Sequence, residues 1–443
     1  MAMYNRDIES LPLSKLRTLQ NDRLKNLLQR VYTQVPFYKR QFDEAGITPS
    51  DIRGVEDLHK IPFTKKTDLR DNYPFDLFAV PQNEVVRIHA SSGTTGKPTV
   101  VGYNRQDLDV FDEVVARSLV AGGAKAGMKL HNAYGYGLFT GGLGMHGGAT
   151  KLGMAVIPVS GGMTDRQLMI IQDFQPEVIC CTPSYAQTLG EEIHKRGISL
   201  DSLNLKYAIL GAEPWTETIR GQVEKALNVN ATNIYGLSEI IGPGVSQEDY
   251  EEKGTGSYIW EDHFYPEVVD KDTGEPLPHG QEGVLVFTPL PTQALPILRF
   301  WTNDICSIYY DSDAKRSHIK MSSIKGRSDD MLIIRGVNLF HTQVEVLLED
   351  FDHLAPNYQL IVKREGNMDT VDLHVEVVEE LSSGIAPNDF GANDRIQQLT
   401  KELSHKIKNN IGLSMKVELT PHDTNPRSAG GKLSRINDQR NLK

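Results

Sequence analysis

A chain of 443 residues exceeds what one hydrophobic core covers, so two or more domains are expected. With 39% apolar and 24% charged residues the composition is globular, and a net charge of −11 disfavours nucleic acid or an anionic membrane, which call for a basic footprint. Cys180, Cys181 and Cys306 form neither a disulfide framework nor a metal-ligand spacing; no secretory signal and no run of about 20 apolar residues is present, so a cytoplasmic chain that spans no membrane is expected.

Residues 14–45 place Leu16, Leu19, Leu24, Leu27, Leu28 and Val31 at helical spacing, and Pro36 is expected to stop that helix or start another. From residue 85 onward, short β-branched runs ("VVRIHA", "AVIPVS", "EVICCTP", "KYAILGA", "ATNIYG") alternate with helical stretches near 105–121, 164–174, 184–196 and 215–227. That alternation predicts a largely parallel sheet covered by helices. Over about 256–325 the runs "GVLVFTPL", "ILRFWT" and "ICSIYY", broken by turn clusters such as "DKDTGEPLPHG", predict a β-rich subdomain. After "GRSDDMLIIRG", a helix at 342–351, strands near 358–363 and 371–378, a helix over 393–410 and a strand at 415–419 predict a smaller α+β domain. The expected fold class is therefore α/β, with a large domain over 1–328 and a small one over 329–443.

The stretch "SSGTTGKP" at 91–98 has the composition of a phosphate loop. It is not a Walker loop, because Lys97 is followed by Pro98 where that motif needs serine or threonine. What it offers is a run of backbone N–H groups and hydroxyls able to wrap a pyrophosphate, against the plainer alternative of a solvated turn. "GLGMHG" at 142–147 matches a dinucleotide fingerprint in letters only; no βαβ unit frames it, and a helix packed closely through glycine is the expectation. "GAEPW" and "YGLSE" each end a predicted strand, and "TND" follows "ILRFW", which puts Glu213, Glu239 and Asp304 where a nucleotide would lie in a parallel sheet. Each alone reads as a solvated loop carboxylate; as a set they suit ribose hydroxyls or Mg2+. His146, His263 and His341 read as structural histidines, and Lys66 in "PFTKKTDL" as a cation able to reach phosphate or carboxylate.

These stretches in this order ("RIHASSGTTGKPTVVGY", "AYGYGLFTGGLG", "LGAEPW", "YGLSE", "IWEDHFYPE", "GRSDDMLIIRGVN") resemble the adenylate-forming enzymes, and among them the arylacetate–coenzyme A ligases, over nearly the whole chain. The resemblance implies a large α/β domain and a small mobile C-terminal domain. It implies that ATP and a carboxylate give an acyl-adenylate and pyrophosphate, and that coenzyme A then displaces AMP; phenylacetate is the first candidate acid. Ser91, Ser92, Gly93, Thr94, Thr95, Gly96 and Lys97 would form the phosphate loop and Glu239 would carry Mg2+. Ala212, Glu213 and Pro214 would line the adenine, with Asn233 at its amino group, Tyr235 stacked on it and Gly236 beside it. Asp304 would accept from the ribose hydroxyls, with Arg327 nearby. Lys432 in "RSAGGKLSR" would be the catalytic cation, Asp329 the hinge, and Tyr136, Phe139, Ile241 and Pro243 the acyl pocket. The resemblance also implies a homodimer. The sequence departs from the family around the ribose aspartate, where it reads "RFWTND" with Trp301 and Asn303. Two rival readings stand beside this one: adenylation of another aryl acid (benzoate- or anthranilate-like) with transfer to coenzyme A, a carrier protein or another nucleophile, and nucleotide binding without turnover.

Overall fold

The computed structural model describes residues 2–91, 99–213, 215–328, 332–334, 337–365, 368–425 and 435–440. The chain divides into two compact units, Met1–Ile324 and Lys325–Lys443.

In the large unit a short helix, Arg6–Glu9, precedes the predicted helix, Leu13–Gln34, which buries Leu16, Leu24, Leu27, Leu28 and Val31 on one face. Each such side chain contributes about 1.5–3 kcal/mol of burial. Pro36 opens a second helix, Pro36–Ala45, from its first turn, where the missing N–H costs nothing.

Among the described residues, nine strands form the central sheet. One half is parallel, in the spatial order Ala155–Ile157, Lys129–Asn132, Val178–Cys181, Tyr207–Gly211, Asn230–Leu237. The other half, from Gly242–Glu248 through Ser257–Ile259 and Lys320–Met321 to Ile308–Tyr309, is antiparallel. The inner parallel strands Val178–Cys181 and Tyr207–Gly211 are buried on both faces, and their side chains alternate between two cores. Val178, Cys180 and Ile209 enter one core; Ile179, Cys181, Ala208 and Leu210 enter the other. The adjacent cysteines therefore point to opposite faces, both buried and free.

The helices fall at Arg105–Ala121, Thr164–Phe174, Pro183–Lys195 and Glu217–Leu227, as the periodicity predicts. "GLGMHG" lies within the helix Thr140–Leu152, where a Cβ at Gly144 would collide with Phe111 and one at Gly148 with Val115. The glycines let this helix press against Arg105–Ala121, in keeping with the helix-packing expectation.

Two expectations need correction. "VVRIHA" contributes no strand to the parallel sheet: Arg87–Ser91 pairs antiparallel with Thr99–Tyr103 as a separate two-stranded ribbon. The parallel sheet instead takes Lys129–Asn132, a short strand that the β-branched count passes over because "KLHN" holds no β-branched residue. The predicted β-rich region is also split. Ser257–Ile259, Ile308–Tyr309 and Lys320–Met321 join the central sheet, whereas Phe264–Val269, Gly283–Pro289 and Phe300–Cys306 form a separate antiparallel sheet.

In the small unit the antiparallel hairpin of Leu354–Glu365 and Met368–Val377 is flanked by two parallel neighbours, Ile436–Asp438 and Lys416–Thr420. The helix Asp394–Ile411 buries Ile396, Leu399, Leu403 and Ile407 against that sheet's core. Asn393 caps it by accepting from the N–H groups of Arg395 and Ile396, and Gly412 ends it with φ 76°.

Candidate active site

The parallel strands deliver two carboxylates by the general rule for such sheets, at their carboxyl ends. Beyond Tyr207–Gly211 the chain turns through Ala212, whose φ of +69° is left-handed, and presents Glu213. Glu213 Oε2 accepts from the Ser184 N–H (3.3 Å) at the start of the helix Pro183–Lys195, where the helix dipole favours negative charge. Its Oε1 is buried and has no hydrogen-bond partner among the described residues.

The strand Asn230–Leu237 carries Asn233, Tyr235 and Gly236 and leads into the turn that holds Glu239. The pairing with Gly242–Glu248 shifts register between Tyr235 and Gly236, and a Cβ at Gly236 would strike the Gly242 carbonyl. Only glycine lets the backbones approach so closely here. Asn233 Oδ1 accepts from Trp215 Nε1 (3.0 Å), so the oxygen that an adenine amino group requires is already held and keeps one lone pair to offer. Glu239 is 7% exposed and forms an ion pair with Lys66 Nζ at 3.4 Å. One buried carboxylate beside a half-exposed lysine is not an all-protein metal cage. It suits Mg2+ that arrives with phosphate oxygens and keeps most of its shell from them and water.

Asp304 reaches its place differently. It stands within the antiparallel strand Phe300–Cys306, not at a parallel strand's end, which corrects the sequence expectation. The ladder with Gly283–Pro289 pairs Val286 with Trp301 and Val284 with Ile305, so Thr302, Asn303 and Asp304 bulge opposite Leu285. Asp304 is 6% exposed, and Oδ2 accepts a 2.5 Å hydrogen bond from the Tyr235 hydroxyl. That bond joins the two sheets and places the tyrosine ring and the aspartate side by side.

The four pocket candidates fare unequally. Tyr136 is half-buried; its hydroxyl accepts from Asn132 Nδ2 (2.7 Å) and meets His146 Nδ1 (3.2 Å), and burial pushes its pKa up to about 12. Phe139 is 39% exposed. Pro243 is half-buried near Gly144. Ile241 is buried in the main core, and its carbonyl accepts from the Tyr103 hydroxyl (2.8 Å). Arg327 lies on the short strand Gly326–Arg327 in the small unit. Ser92, Gly93, Thr94, Thr95, Gly96, Lys97, Pro214, Asp329 and Lys432 lie outside the described residues, as does the side chain of Ser91.

His341 and His263 are built into buried contacts. His341 meets the Tyr358 hydroxyl (3.1 Å), and burial pushes its pKa down to about 4. His263 belongs to a buried network with Glu113, Asp262 and Arg117, whose Nη1 donates to Asp262 Oδ1 at 2.7 Å. Burial would raise the Glu113 carboxyl, but the His263 hydrogen bond and the Arg117 charge outweigh it and hold the pKa near 2. Two of these three potential metal ligands, Glu113 and Asp262, already pair with the fully buried Arg117 guanidinium, whose positive charge opposes a cation there. The groove beside it, of about 560 Å3, contains none of the site candidates. Sequence reasoning missed Trp215, which fixes Asn233 through a side-chain contact with no local signature.

Comparison with known proteins identifies the family. The AMP-binding enzyme profile matches residues 18–288, and the AMP-binding enzyme C-terminal domain profile matches residues 336–440. The chain belongs to the AMP-binding enzymes, in the phenylacetate–coenzyme A ligase family. It is 61% identical over 444 residues to a phenylacetate–coenzyme A ligase of Thermus thermophilus, covering 99% of this chain and 100% of that one. A phenylacetate–coenzyme A ligase of Escherichia coli K12 is 48% identical, with 98% and 97% covered. Among solved structures, a 2-hydroxyisobutyryl-CoA ligase in its postadenylation state matches with a TM-score of 0.89 at 27% identity, over 98% of this chain and 92% of that one. The adenylate-forming fold expected from the motifs is thus the fold of this chain.

Proposed function

We propose that this enzyme joins phenylacetate to coenzyme A in two steps at the expense of ATP. A carboxylate oxygen of the acid attacks the α-phosphorus; the new P–O bond forms as pyrophosphate leaves, giving phenylacetyl-AMP. The coenzyme A thiolate then attacks the acyl carbon, and AMP leaves with the electron pair of the broken C–O bond. The first step needs little covalent help from the protein and much positioning and charge neutralisation.

The observation that carries this reading is the near-full-length 61% identity to a named phenylacetate–coenzyme A ligase, in a chain that brings Tyr235 and Asp304 to one place. Asp304 accepts from the ribose hydroxyls, and Arg327 is assigned to the ribose too; Tyr235 and Gly236 face the base, and Ala212, Glu213, Pro214 and Asn233 line it. Glu239 is the carboxylate for Mg2+, which would shield the phosphate charges. Lys66 supports the same end of the nucleotide, since it already pairs with Glu239. Residues 91–97 clamp the pyrophosphate, and Lys432 neutralises the charge that builds between carboxylate and α-phosphate. Tyr136, Phe139 and Pro243 border the aryl ring. The small domain, over 329–443, turns about Asp329 between the two half-reactions. The enzyme acts as a cytoplasmic homodimer, a reading in keeping with three free buried cysteines for the compartment and testable by light scattering for the dimer.

Pyrophosphate release with and without coenzyme A, over phenylacetate, benzoate, hydroxybenzoates, anthranilate and short fatty acids, tests this directly. Phenylacetate is expected to give the highest kcat/KM, with coenzyme A consumed one for one. No release with any acid would sink the ligase reading, and release without coenzyme A consumption would favour another acceptor. Lys432→Ala is expected to lose adenylation while still forming thioester from supplied phenylacetyl-AMP.

A further inference from the structure

The aspartate taken above as the ribose acceptor sits on an irregular piece of chain, and that irregularity is built from named parts. Across from Leu285, three residues occupy the space of one. Thr302 spans the gap: its hydroxyl donates to the Leu285 carbonyl (2.7 Å) and accepts from the Asp304 N–H (3.0 Å). Asn303 takes the left-handed conformation, φ +66°, which asparagine tolerates far better than bulkier residues do. Its Oδ1 accepts from the indole N–H of Trp301 at 2.8 Å.

The indole is itself held from the other side. Phe63 packs edge-on against it at 4.9 Å, and Lys65 Nζ lies 5.8 Å from the ring centroid. The backbones are tied as well: Trp301 N–H donates to the Thr64 carbonyl (2.9 Å), and Thr64 N–H donates to the Arg299 carbonyl (3.0 Å). The next residue along that strap is Lys66, which pairs with Glu239. A single short segment therefore fixes the indole and carries a cation to the carboxylate at the phosphate end.

We propose that Trp301 and Asn303 are positioning residues that lock the bulge in the register aiming Asp304 at the ribose. Trp301 supplies the fixed donor, Asn303 supplies both the acceptor and the left-handed turn, and Asp304 is delivered to the Tyr235 hydroxyl. The proposal rests on Asp304 being the ribose acceptor, so the test must separate the two ideas.

Steady-state kinetics on Trp301→Phe, Asn303→Ala, Asp304→Ala and the double variant Asn303→Ala/Asp304→Ala do so. Trp301→Phe keeps the ring on Phe63 and deletes only the N–H. Loss of one hydrogen bond that orients a charged group corresponds to about a fivefold to tenfold rise in KM for ATP. Trp301→Phe and Asn303→Ala are expected to show that rise, with KM for the acid and for coenzyme A, and kcat at saturating ATP, changed less than about twofold. Adding Asn303→Ala to Asp304→Ala is expected to raise KM for ATP no further, because the lock acts only through that carboxylate. If Asp304→Ala leaves KM for ATP unchanged, the ribose reading itself fails. If Asp304→Ala raises it while Trp301→Phe and Asn303→Ala do not, the lock is wrong and the ribose reading stands. Equal changes in all three KM values would mean general loss of structure and would also overturn the lock.

Discussion

The parallel half of the central sheet and the small antiparallel sheet beside it solve the same problem in opposite ways. In the first, Glu213 and Glu239 follow strands whose carboxyl ends are where open parallel sheets commonly bind ligands, and Gly236 serves the close approach of backbones. In the second, Asp304 lies inside a strand whose direction offers no such end, and three residues are crowded opposite one where its carboxylate meets the Tyr235 hydroxyl. Regular topology positions a side chain at little local cost. An irregular strand must be held open by specific partners, and it is therefore open to disruption by single atoms.

Substitutions can break this contrast, beginning with the largest effect. On the proposal that Asp304 accepts from both ribose hydroxyls, pyrophosphate release by Asp304→Ala is expected to lose about 10²-fold or more in kcat/KM for ATP. An unchanged value would mean that the antiparallel sheet contributes nothing to the site. Gly236→Ala probes the strand that leads to Glu239, where it pairs with Gly242–Glu248. Its Cβ would press on the Gly242 carbonyl, and denaturant unfolding is expected to show a loss of about 1–3 kcal/mol. Stability equal to the parent would show that the backbones there are looser than drawn.

A pH-dependent effect reports on the parallel strands. Burial pushes the His131 pKa down to about 4, with Nε2 bonded to Gln167 Oε1 at 2.5 Å. The folded chain therefore keeps this imidazole neutral while the unfolded chain protonates it below its ordinary value. Stability from this group is complete above about pH 6.5 and is lost as pH falls toward 4, by at most about 1.4 kcal/mol per unit. Glu261 and Glu267, raised by burial, act in the opposite sense at the acid end, so the difference between parent and His131→Gln is the quantity to follow. The variant is expected to show a shallower loss of thermal midpoint between pH 6.5 and 4. An identical slope would place His131 in contact with solvent.

The same contrast explains what the sequence reveals and what it hides. Leu24, Leu27, Leu28 and Val31 announce a helix through spacing alone, and the runs around Val178 and Ile209 announce buried strands, because periodicity and burial are local properties. Glu213 and Glu239 are legible for the same reason, as they close recognisable strands. The strand Lys129–Asn132 is invisible because its neighbours in space, and not its residues, make it a strand. The ribbon of Arg87–Ser91 and Thr99–Tyr103 looks like a sheet member until pairing is known. Trp215 on Asn233, Tyr235 on Asp304 and Trp301 on Asn303 are contacts set by tertiary placement, and no spacing rule points to them.

The central claim is that carboxylates from the two sheets grip different ends of one nucleotide. Calorimetric titration of AMP and of MgATP into the parent, Asp304→Ala and Glu239→Gln tests it most directly. Asp304→Ala is expected to weaken AMP and MgATP alike, by about tenfold or more, since both carry the ribose. Glu239→Gln is expected to weaken MgATP while leaving AMP within about twofold of the parent, because its contribution runs through the metal and the phosphates. AMP affinity untouched in Asp304→Ala, or lost equally in both variants, would contradict the account.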